Sequence, residues 1–120
     1  MLNELIQVNL ENILESIEII LKRSETIKDA DDFMNTPFGA TTLDSIAMRL
    51  QMIGETLKRI EKIDPNYLPQ FKEIDWNEIM KLRDLISHHY DSINPILVFD
   101  ICKNHAPDLK NVIEKILKEN

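Results

Sequence analysis

The chain of 120 residues holds a single cysteine, Cys102, so it has no internal disulfide and too few thiolates for a cysteine-built zinc site. That scarcity fits a reducing, intracellular setting, with Cys102 expected as a small apolar side chain inside a helix. Glycine occurs twice and proline five times, too rarely for a linker or a low-complexity tail. Basic residues are the scarcer charge: 14 Lys and Arg stand against 21 Asp and Glu, for a net charge of -7. A broad electrostatic grip on nucleic acid is thereby excluded, and any such contact has to be local. Long apolar runs are missing as well. Stretches such as 19–21 and 96–99 fall far below the roughly 18 residues of a bilayer span. The first turns, interrupted by Asn3, Glu4, Gln7 and Asn9, lack the basic start and apolar stretch of a signal peptide. The expectation is a cytoplasmic protein with no membrane partner.

What is present is a folded composition, 43% hydrophobic and 29% charged, long enough for one domain and one core. Its apolar positions repeat with helical period throughout. Leu2, Ile6, Ile13, Ile17, Ile20 and Leu21 form one stripe that predicts a first helix to about Ile27. Residues 28–42 are rich in turn formers and read as a connection. With Thr42 or Asp44 as cap, Ile46, Leu50, Ile53, Leu57 and Ile60 mark the seam of a second helix that ends at Asp64 and Pro65. Asp75 and Glu78, at capping-box spacing, open a third helix from Trp76 to about Tyr90. Asn94 and Pro95 open a fourth to about Asn104, and Pro107 and Asp108 a fifth, whose stripe is Leu109, Val112, Ile113, Ile116 and Leu117. The fold class is all-α: an up-and-down bundle of four main helices with a short fifth, occupying residues 1–120 as a single domain.

The unusual chemistry sits on the third helix. Ile79, Leu82 and Ile86 set its apolar face, flanked by Arg83 and Tyr90. A guanidinium beside a core is costly unless hydrogen-bonded, so Arg83 asks for an anionic partner, structural or ligand. Asp84 and His88, four apart on the polar face, place a carboxylate where it orients an imidazole and raises its pKa. On an ideal helix Arg83 and His88 diverge by about 140°. Joint action therefore needs a curled arginine, a distortion near Ser87, or a second subunit. Taken by themselves, Trp76 and Tyr90 read as packing anchors. Gly54 inside the second helix reads as a site of close helix packing.

The run from Arg83 through His88 to Tyr90 resembles the Arg-x-x-x-x-His-x-Tyr motif of the HepT-like toxins of the HEPN superfamily. Ile74-Asp75-Trp76-Asn77-Glu78-Ile79 resembles that family's tryptophan-containing lead-in, and Arg49-Leu50-Gln51-Met52-Ile53-Gly54-Glu55 its Arg-x-x-x-Ile-Gly-Glu segment. The likeness runs from residue 1 to about 118. It implies a HEPN-like fold and a metal-independent ribonuclease toxin, active as a homodimer without a cofactor. The implied partner is a nucleotidyltransferase antitoxin of the MntA type, which adenylylates the motif tyrosine, here Tyr90. Asp84 departs from the family's usual asparagine, and its charge lowers the affinity expected for RNA.

RNA brings its own nucleophile, the 2'-hydroxyl. Cleavage therefore needs that oxygen deprotonated, a phosphorane stabilised and the leaving 5'-oxygen protonated. His88 is the acid or base and Arg83 the forked donor to the phosphorane oxygens. One histidine does not easily serve both ends of one step. A two-fold dimer that joins both copies of Arg83 and His88 supplies base, acid and two cations. An AMP group on Tyr90 would block that cleft by bulk and by charge. The competing reading is a non-catalytic helical module that pairs with, and is modified by, a nucleotidyltransferase.

Overall fold

The structure, a computed structural model, describes residues 3–87 and 93–119, with the side chains of Arg83, Leu85 and Ser87 outside that description. Asn3 starts the first helix by accepting the amide hydrogens of Leu5 and Ile6 at 2.8 and 3.4 Å, groups that otherwise lack partners. Helix α1 spans Glu4–Arg23 and tightens into a short turn at Ser24–Thr26. Ile6, Leu10, Ile13, Ile17 and Ile20 recur along one side of it, and all are buried.

The second helix begins earlier than its sequence suggests. Helix α2 is Pro37–Ile63, with Thr36 as its cap, instead of starting after Thr42. Pro37 sits in the first turn, where a missing N–H is harmless, and the Thr36 hydroxyl accepts the Gly39 N–H at 2.9 Å. The tight turn Ala30–Phe33 ahead of it has its own capping box, formed by Asp29 and Asp32. Gly39 lets that turn lie directly on α2, because a Cβ there would overlap the carbonyl oxygen of Asp32. The expected seam of Ile46, Leu50, Ile53, Leu57 and Ile60 is buried along its whole length.

The third helix is divided. Helix α3 spans Trp76–Met80, a turn falls at Lys81, and α4 spans Leu82–Ser87. Asp75 caps α3 by accepting the Glu78 N–H at 3.2 Å, as the spacing predicts. Trp76 is buried and donates its indole N–H to the carbonyl of Phe71 at 2.9 Å, which fixes the loop before the helix.

The last two helices follow one another without a loop. Asn94 accepts from Ile96 and Leu97 at 3.1 Å each and starts α5, Pro95–Asp100. A π-turn at Ile101–His105 then leads straight into α6, Ala106–Lys118. Proline has no N–H to give and crowds the carbonyl four residues back; the wide turn before Pro107, closed by Ala106 N–H to Ile101 O, relieves both. Helix α1 packs against α2 and α6, while α2 also carries α3 and α4. The result is the expected all-α bundle, 48 by 26 by 21 Å, with one core of isoleucine and leucine. Among the described residues no helix is long and apolar enough to cross a membrane.

Candidate active site

Two apolar side chains hold α4 in place. Leu82 and Ile86, four residues apart and therefore on one face, are both buried in the core. Ile79 is partly buried against the same cluster. Asp84 is exposed, on the polar side of the short helix, as its position predicts. The backbone at Arg83 is α-helical. His88 and Tyr90, and the Arg83 side chain, lie outside the described residues.

The end of α3, just before α4 begins, lies against α2. A Cβ at Gly54 would lie 3.1 Å from the carbonyl oxygen of Ile79 and 3.6 Å from that of Met80, so the end of α3 rests on the bare backbone of α2. The close packing expected of Gly54 is what the structure shows. The break at Lys81 follows directly upon this contact, and α4 stays α-helical from there through Ser87.

Beside Gly54 lies an open groove between α1 and α2, lined by Asn12, Glu15, Met48, Arg49, Glu55 and Arg59 among others. Its charges are mixed, and an exposed ion pair joins Glu55 to Lys58 at 3.8 Å along α2. Met48 is 58% exposed and Met52 45%. Cys102, by contrast, is fully enclosed. Burial pushes its thiol up to about 11, while a hydrogen bond with Ser24 and the nearby Lys103 pull weakly the other way. It is a core side chain, not a nucleophile.

One ionisable pair was not foreseen from the sequence. His105 Nε2 lies 3.2 Å from an oxygen of Asp100, and the Asn104 amide donates to the same carboxylate at 2.6 Å. Five-residue spacing hides such a pair on an α-helical wheel; only the π-turn brings the two onto one face. Among the described residues no group of three or more His, Cys, Asp or Glu is arranged to hold a metal ion.

The all-α bundle defines the class, and comparison with known proteins gives the family. The chain belongs to the HepT-like family, described as ribonuclease HepT-like, whose model matches residues 13–116. It is 31% identical over 110 residues to the "Probable ribonuclease HepT" of Thermococcus cleftensis, covering 91% of this chain and 93% of that protein. A "Putative RNase" of Caldanaerobacter subterraneus is 26% identical, with 92% of each chain covered. A Methanocaldococcus jannaschii protein named "Gamma-glutamylcyclotransferase and putative RNase" is 30% identical over 95% of this chain, which spans only 48% of that relative's length. No solved structure matches.

Proposed function

We propose that the chain is a metal-independent endoribonuclease that works as a cytoplasmic homodimer, the toxin of a toxin–antitoxin pair. The family match over residues 13–116 carries this reading. The motif from Arg83 through His88 to Tyr90 falls inside that span. In this reading His88 takes the proton of the ribose 2'-hydroxyl, whose oxygen attacks the adjacent phosphorus. The P–O bond to the 5'-oxygen then breaks, and that oxygen receives a proton from the second His88. A cyclic phosphate and a free 5'-hydroxyl result. Arg83 binds the phosphorane oxygens through two parallel N–H donors.

The regularity of α4 supports a shared site. Its backbone is α-helical through Ser87, so no distortion within 82–87 turns Arg83 toward residue 88. A curled arginine and a second subunit remain, and the need for an acid and a base in one step favours the second subunit. The α1–α2 face suits such a pairing: Met48 and Met52 stand out from α2, and Leu5 and Val8 from α1. Glutamates and arginines are interspersed there, so one patch complements its own copy.

The antitoxin in this proposal is a nucleotidyltransferase of the MntA type that transfers AMP to the Tyr90 hydroxyl. The added phosphate and adenosine would shut the cleft to RNA. Expression in a bacterial host tests the whole reading. Arrest of growth by the wild type, its loss in Arg83→Ala and His88→Ala, and failure of a cognate antitoxin to rescue Tyr90→Phe are expected. Harmless expression with intact cellular RNA would instead point to a non-catalytic module, a reading that Asp84 beside the arginine favours.

A further inference from the structure

A cleft on the described structure combines an apolar lining with several carboxylates. It has a volume of about 360 Å³ and lies between residues 73–79 and the helical run 97–109. Its floor is apolar: Ile74, Ile79 and Leu97 are half-buried there, and Ile17, Ile20, Leu50 and Ile53 in its lining belong to the buried core. Its lining carries Glu73, Asp75 and Glu78 from one segment and Asp100, His105 and Asp108 from the other, and neither Lys nor Arg. All five carboxylates are on exposed residues.

We propose that this cleft docks a segment of another protein that carries a bulky apolar side chain between lysines or arginines. Like charges around a low-dielectric floor concentrate negative potential at the opening, which attracts cations and repels RNA. Local neutralisation is slight. Glu78 meets Lys81 at 3.9 Å in an exposed pair, a contact of little energetic weight. Asp100 is tied to Asn104 and His105, and Asp75 caps α3.

The carboxylates are not gathered to close on a single metal ion. They come from both sides of an apolar floor, so a ligand that satisfies them needs cations at spaced positions with an apolar group between. A basic amphipathic peptide has that pattern. The volume lies near the lower end of the range of about 300–1,000 Å³ for ligand pockets, room for an anchoring side chain but not for a folded element.

Calorimetric titration of the full chain with a short synthetic peptide of paired lysines alternating with leucine tests this, and it reads binding without reference to RNA cleavage. Binding is expected, weakening steeply with added salt. The Asp100→Asn, Asp108→Asn double variant, altered only on the surface, should bind about tenfold more weakly. No binding, equal binding of the matching glutamate–leucine peptide, or an unchanged affinity in the double variant would overturn the proposal. Equal affinity for hexylamine would overturn it too, leaving a small-molecule site in place of a protein-docking one.

Discussion

His105 and Asp100 are five residues apart in sequence and 3.2 Å apart in space. On a regular α-helix, residues at that spacing diverge by about 140°; the π-turn at Ile101–His105 closes the gap. Arg83 and His88 have the same spacing, yet α4 is α-helical through Ser87. The π-turn that unites the first pair has no counterpart within residues 82–87; the proposed site draws its second histidine from a partner protomer.

A cleft built from two copies of His88 has a kinetic signature. When wild-type and His88→Ala protomers are mixed and allowed to exchange, cleavage of RNA should fall as the square of the wild-type fraction, because mixed dimers lack either the acid or the base. A linear decline would show that each chain carries a complete site. Size measurement by light scattering on the same samples checks that both proteins are dimers.

The two glycines should respond differently to a methyl group. Gly39→Ala puts its Cβ into the carbonyl of Asp32, a backbone atom that cannot turn aside, and should cost about 1–3 kcal/mol. Gly54→Ala meets the Ile79 carbonyl at 3.1 Å, a milder contact. The helix-propensity gain of about 1 kcal/mol largely offsets it. Urea unfolding of both variants measures the difference; equal midpoints would contradict the close approach at Gly39.

Cys102 should resist thiol reagents at neutral pH until the chain unfolds, since it is buried and its thiol is pushed up to about 11. The direction of the pH effect follows. From about 9.0 to about 11 the unfolded thiol ionises while the folded one keeps its proton. The native state then binds more protons, so stability falls as pH rises through that window. Cys102→Ala should remove this part of the alkaline loss, as read from thermal midpoints across pH.

Trp76 is the sole tryptophan, and it is buried with its N–H on the Phe71 carbonyl. Its fluorescence should be blue-shifted in the native state and move red on unfolding. Trp76→Phe keeps most of the apolar area but orphans that carbonyl, at a cost of about 1–3 kcal/mol. A stability equal to wild type would mean that the bond contributes nothing.

Much of the bundle is legible in the sequence because burial follows the helical period. Every member of the seam from Ile46 to Ile60 is buried, and the caps at Asp75 and Asn94 act as their spacing predicts. What escaped depends on contacts between distant segments. Pro37 and Gly39 look like loop residues until Thr36 is seen capping a helix and Asp32 lying over the glycine. The break at Lys81 comes directly after the contact of α3 with Gly54, which no local pattern reveals. At the candidate site, the buried face of α4 is legible from Leu82 and Ile86. The acidic cleft is not, because its carboxylates come from segments some thirty residues apart.

The central claim, an RNA-cleaving site made of Arg83 and His88, is tested most directly with purified protein and labelled RNA in the presence of EDTA. Wild-type protein should cut the RNA and leave cyclic phosphate ends, and Arg83→Ala and His88→Ala should each lose about 100-fold or more in rate while keeping the helical circular dichroism of the parent. RNA left intact by the wild type, or cut equally well by His88→Ala, would contradict the account.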